Sequence, residues 1–128
     1  MRLSSACFVL LALGASSLPA HADPKDGAYF LQACDAAVRQ SDGEKLSPQD
    51  AAGAAACTAY LGGFMDAVSL NASTTLGRRS ICFPEGGISD AQAASLFVKY
   101  LRQNPQSLQS AGRASLYVAL VRAFPCGK

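Results

Sequence analysis

The sequence predicts a small all-α domain, a bundle of about four helices arranged as two disulfide-stapled helical hairpins. Three observations carry that expectation. Apolar residues recur at helical spacing in four separate segments, and each segment opens on a residue type that caps helices. Beyond an N-terminal segment expected to be removed, four cysteines remain, and an even number in a small exported domain reads as two disulfides.

The first helix is placed over residues 27–41, where Phe30, Cys34, Ala37, Val38 and Ser41 keep the helical period, with Asp26 as N-cap and Gly43 near the stop. The second opens with Ser47 as N-cap, Pro48 at the first helical position and Asp50 one turn in, a combination that answers the unpaired N–H groups of a helix start. It is expected to run to about residue 70, with Cys57, Leu61, Phe64 and Val68 on one face. Gly62 and Gly63 sit mid-helix, each at a cost of about 1 kcal/mol relative to alanine, which is understandable where another helix approaches closely. Residues 71–88 have no periodicity and form a long loop interrupted by Ile81, Cys82 and Phe83; loops of this length in small domains are usually functional or disordered. Ser89 and Gln92 make a capping box for a third helix that carries Leu96, Phe97, Tyr100 and Leu101 and stops by Gln103. Asn104 and Pro105 form another cap and first-turn pair. They open a fourth helix whose Leu108, Ala111, Leu116, Leu120 and Ala123 face inward, until Pro125 ends it.

The cysteines follow from the hairpins. A short connection makes the first two helices antiparallel, and at about 1.5 Å rise per residue Cys34 and Cys57 then lie within about one turn of each other. The start of the third helix and the end of the fourth meet when those helices fold back, which pairs Cys82 with Cys126. On the chain-entropy model the two bridges contribute roughly 3 and 4 kcal/mol.

The N-terminus has Arg2, an apolar stretch over residues 6–13, then Leu18, Pro19 and Ala20-His21-Ala22. That order is a charged region, an apolar region and an A-x-A cleavage site, and the apolar stretch is shorter than the roughly 20 residues that span a bilayer. Residues 1–22 are therefore expected to be a cleaved secretory signal, leaving residues 23–128 as one domain in the periplasm. Removing Arg2 leaves ten basic and nine acidic residues, a formal charge of +1, so net charge makes no case for nucleic acid or for an acidic membrane surface.

Cleavage also removes Cys7 and His21, the single histidine. Ser-His-Asp and Cys-His nucleophilic sites are thereby excluded, as are the common zinc sets built on histidine. The four remaining cysteines are spaced by 23, 25 and 44 residues, with no C-x2-C pair, so neither metal nor other cofactor is expected. Asp66 lies near an apolar helix face without an acidic partner in view and reads as a polar residue at the core edge. No catalytic residue is assigned and the chain is not expected to be an enzyme. Tyr60 reads as core or interface. Arg78 and Arg79 read either as a solvated charge pair or, beside Phe83, as a partner-binding tip.

The ordered set Cys57-Thr-Ala-Tyr60-Leu-Gly-Gly63-Phe-Met-Asp66, Cys82-Phe-Pro84, Gly86 to Gln92, Tyr100-Leu101, Asn104-Pro105, Ala119-Leu120 and Phe124-Pro125-Cys126 resembles the Rap/Tai immunity proteins over about residues 27–126. The resemblance implies a periplasmic all-helical homodimer that neutralises a peptidoglycan amidase delivered by type VI secretion, inserting a loop into the active-site groove of this Cys-His enzyme. The loop over residues 71–89 is the expected inhibitory segment, with Arg78, Arg79, Phe83 and Glu85 as contacts and the connection around Asn104 and Pro105 as the competing tip. The alternative is a non-catalytic periplasmic chaperone or a small-ligand-binding protein of the same fold, without a toxin partner.

Overall fold

The computed structural model describes residues 25–74 and 79–127. The expected signal segment and Arg78 lie outside the described residues. Among the described residues, four α-helices, α1 (Gly27–Ser41), α2 (Pro48–Thr74), α3 (Asp90–Gln103) and α4 (Gly112–Ala123), are joined by loops and one 3₁₀ turn (Pro105–Gln109). The described residues hold two isolated backbone bridges and no strand.

The starts and stops are those of the cap chemistry. Asp26 accepts the Tyr29 N–H at 2.9 Å and Ser47 accepts the Asp50 N–H at 3.1 Å. Ser89 accepts from the Gln92 N–H at 3.2 Å while the Gln92 side chain accepts from the Ser89 N–H at 2.9 Å, the reciprocal box that satisfies two otherwise unpaired donors. Gly43 closes the turn after α1 at φ +87°, a conformation that costs glycine nothing and side-chain-bearing residues a steric clash.

Helix α1 is central and touches every other helical element. It buries Phe30, Ala33, Cys34, Ala36 and Ala37 against Ala54, Cys57 and Leu61 of α2 and Phe97, Val98 and Leu101 of α3, with Leu116 and Leu120 of α4 completing the core. Tyr60 is half-buried and packs against this core, its ring 4.4 Å from that of Phe30. Both predicted disulfides are present: Cys34–Cys57 clamps α1 to α2, and Cys82–Cys126 ties the segment before α3 to the segment after α4. Arg39 adds a surface clasp, reaching Asp35, Glu44 at 2.6 Å and Asp50, while Arg102 of α3 also pairs with Asp35. Its hydrogen bonds to Glu44 and then to Asp50 raise the Arg39 pKa above its ordinary value.

Several expectations are corrected. Helix α2 continues to Thr74 rather than stopping near residue 70; residues 71–74 contain neither glycine nor proline, so nothing there breaks it. Its glycines 62 and 63 do not receive another helix: a Cβ on Gly63 would meet nothing within 4 Å, and one on Gly62 only the Asp90 carboxylate at 3.6 Å. The close helix approach is at Gly53, where a Cβ would lie 3.6 Å from the Ala33 Cα.

The fourth helix is divided. Asn104 does not cap it; its amide donates back to the Tyr100 carbonyl at 2.8 Å and so closes α3. After the 3₁₀ turn the chain extends through Ser110 and Ala111 to bridge Asp26, with Gly27 N–H to Ser110 O and Gly112 N–H to Lys25 O both at 3.0 Å. Two glycines permit this bridge, because a side chain on Gly27 would overlap the Ser107 carbonyl and one on Gly112 the Phe30 ring. Pulling residue 111 into the bridge turns Ala111 outward. Ala123 is exposed as well, contrary to its expected inward position.

Candidate functional site

Of the expected loop, residues 71–74 belong to the end of α2, and the other described part is residues 79–89. Arg79 is exposed. Two residues on, Ile81 is buried and bridges Pro125, and the Cys82 N–H donates to the Phe124 carbonyl at 2.9 Å beside the disulfide to Cys126. The apolar interruption in the sequence, Ile81-Cys82-Phe83, is thus the anchor of the segment. At the other end Ile88 packs on the core and Ser89 caps α3.

Between the anchors the chain makes a tight turn, residues 84–87, closed by Gly87 N–H to Pro84 O at 2.9 Å. Gly86 and Gly87 stand at φ +84° and +74°, which side chains at those two positions would resist. Glu85 is exposed at the tip. Phe83 is half-buried, its ring 5.4 Å from that of Phe124, so it braces the turn from below. Arg79, Phe83 and Glu85 therefore belong to one pinned segment, with Arg79 and Glu85 facing solvent and Phe83 packed.

The competing tip is pinned too. Ser107 is buried, its hydroxyl 3.3 Å from the Tyr100 hydroxyl in a hydrogen bond, and its carbonyl accepts from Ser115 Oγ at 3.3 Å. Pro105, Gln106 and Gln109 remain exposed. Alongside, α3 and α4 border an open groove of about 530 Å³ whose walls include Leu96, Tyr100, Ala119, Lys99 and Arg122; sequence reasoning did not find it, because it exists only where the two helices cross.

Among the described residues the exposed large apolar side chains are Tyr29 on α1, Leu70 on α2, and Tyr117 and Val118 on α4. On α2, Ala55, Ala59, Gly63 and Ala67 are exposed at four-residue intervals. Asp66, expected at the core edge, is exposed on the same helix. Among the described residues no group of three or more His, Cys, Asp or Glu could hold a metal ion, and no helix is long and apolar enough to cross a membrane.

The model of a protein family described as Rap1a immunity proteins matches residues 26–126. No curated protein matches the chain, and no solved structure does.

Proposed function

Because the chain belongs to the Rap1a immunity protein family, we propose that it is a periplasmic immunity protein that binds and inhibits a type VI secreted peptidoglycan amidase of the Cys-His type, by inserting a loop into the active-site groove. Family membership points to an immunity function exercised on a toxin partner. The amidase, the periplasm and the loop mechanism come from the resemblance in the sequence. The observation that carries the mechanism is the pinned segment over residues 79–89: Cys82–Cys126 and Ile81 hold one end, the capping box holds the other, and the turn bearing Glu85 projects between them.

Rigidity matters here for an energetic reason. Ordering a loose side chain on binding costs about 0.5–1.5 kcal/mol, and a segment already ordered by a disulfide, a bridge and a turn avoids most of that. The protein contributes no chemistry of its own in this reading. It occludes the groove, with Arg78, Arg79, Phe83 and Glu85 assigned as the contact set. Export through a cleaved signal over residues 1–22 and the two disulfides fit a target that acts on the cell wall.

A homodimer belongs to the same proposal. The exposed small residues of α2 allow a second helix to come close, and two-fold pairing is the commonest assembly of small soluble proteins.

The test uses the exported, oxidised protein and the amidase encoded beside its gene. One equivalent is expected to abolish release of cleaved muropeptides from purified peptidoglycan, and the complex is expected to co-elute on gel filtration. An active amidase that neither binds nor is slowed by excess protein would refute the reading.

A further inference from the structure

The formal charge of +1 conceals a strong segregation. All nine aspartates and glutamates precede residue 91, whereas residues 91–128 carry five lysines and arginines and no acid. On α3 and α4 the cations are Lys99, Arg102, Arg113 and Arg122, with Asp90 at the start of α3 as their one carboxylate, while the carboxylates that pair with Arg39 belong to α1, α2 and their connection. Arg102 is paired with Asp35. Lys99 and Arg122 have no carboxylate partner among the described residues, and both line the groove between α3 and α4.

Arg122 is also held in place. Its guanidinium lies 5.5 Å from the centroid of the Tyr100 ring and donates to Asn104 Oδ1 at 3.4 Å, which leaves most of its five N–H donors for another acceptor. Leu96 and Ala119 supply apolar wall to the same groove. A cation preset over an aromatic ring, a second cation and an aliphatic strip form a recognition surface for a carboxylate-bearing chain with an apolar side chain.

We propose that the α3/α4 groove is a docking site for an acidic protein segment, which sets an aliphatic side chain against Leu96 and Ala119 and its carboxylates against Lys99 and Arg122. The groove favours a protein over an anionic lipid surface because it is concave and holds two cations, whereas lipid recognition by charge uses clusters of about four to eight. The inference rests on the immunity reading only in taking the effector as the bearer of that segment.

The test has two arms. In the first, the ¹⁵N-labelled protein is titrated with the capped peptide Glu-Leu-Glu-Glu-Leu-Glu at about 0.01 M and about 0.1 M salt, where the Debye length is about 30 Å and 10 Å. Saturable shifts are expected over residues 95–104 and 119–123, with weaker binding at the higher salt, and K99E/R122E is expected to weaken binding at least about tenfold with its melting temperature retained. Absence of saturable shifts, shifts centred elsewhere, insensitivity to K99E, or binding to phosphatidylglycerol vesicles without binding to the peptide would each overturn the proposal. The single variant K99E keeps the arm decisive if the double variant unfolds. In the second arm, K99E is expected to slow association with the amidase at low salt. Wild type and K99E inhibiting identically would remove the docking role and leave the immunity reading intact; a wild type that fails to inhibit removes the immunity reading, while the peptide arm still decides the groove.

Discussion

Removing the Cys82–Cys126 bridge by C82A/C126A isolates what the tether contributes. Cys82 is exposed and Cys126 half-buried, so alanine there leaves little cavity, unlike alanine at the fully buried Cys34 and Cys57. The bridge closes 44 residues, for which the loop-entropy relation gives about 4 kcal/mol, chiefly by restricting the unfolded chain. Set against a total stability of about 5–15 kcal/mol for a domain, that is a large share. In the folded state Ile81 stays buried and the Cys82 N–H still reaches Phe124 O, so residues 79–89 should keep their conformation while the unfolding midpoint falls. Urea unfolding monitored by circular dichroism, with amide shifts of the segment measured in parallel, checks both halves. A loss under about 1 kcal/mol would refute the entropic account, and random-coil shifts over residues 79–89 in a folded variant would show that the non-covalent anchor does not hold. The same difference in burial predicts that mild reductant followed by alkylation labels Cys82 and Cys126 before Cys34 and Cys57, read by mass spectrometry.

Other outcomes follow from single contacts. G112A places a methyl group into the Phe30 ring and 3.0 Å from the Lys25 carbonyl, and is expected to cost about 1–3 kcal/mol in thermal unfolding; an unchanged midpoint would mean the bridge to Asp26 is loose. S89A removes the acceptor for the Gln92 N–H and should cost about 1 kcal/mol, measurable by the same melts. Replacing Arg78 and Arg79 together with alanine should weaken amidase inhibition at least about tenfold, about 1.4 kcal/mol, without moving the melting temperature. Unchanged inhibition would transfer the inhibitory role to the segment around Asn104 and Pro105. G63R, projecting a long side chain from the open face of α2, should convert a dimer to a monomer in light scattering with folding intact; a wild type that is already monomeric removes the dimer from the proposal.

What the sequence revealed divides by the range of the interactions involved. Asp26, Ser47 and Ser89 act on N–H groups three residues away, so their helix starts were legible from local chemistry alone. The cysteine pairs were legible because a helical hairpin converts sequence distance into spatial register. The division of the last helix was not: Pro105 and the apolar residues after it read locally as one continuous helix. The break is set by a backbone bridge from Ala111 to Asp26, 85 positions away, and by what glycines 27 and 112 pack against. Gly62 and Gly63 misled for the same reason, since glycine marks a close approach only where a partner is present, and the partner is at Gly53. In the candidate site, the loop's anchor was visible as Ile81-Cys82-Phe83, but nothing in its composition said which of those side chains would be spent on packing.

The packing of Phe83 changes how the proposed inhibitory surface would have to work. With its ring braced against Phe124, Phe83 presents less area than an exposed aromatic anchor, and the turn it supports offers Glu85 between a proline and two glycines. A turn of four residues is far smaller than the roughly 800 Å² per partner that stable complexes bury. On the proposed reading, affinity must therefore be gathered from surface continuous with the turn. Phe124 directly follows Ala123, which lines the α3/α4 groove, so the brace of the turn and the end of the groove occupy consecutive residues of one helix end that Cys126 fixes to Cys82. The tether then fixes the orientation of the tip relative to the groove, so that two individually small contacts can be made together by one rigid partner.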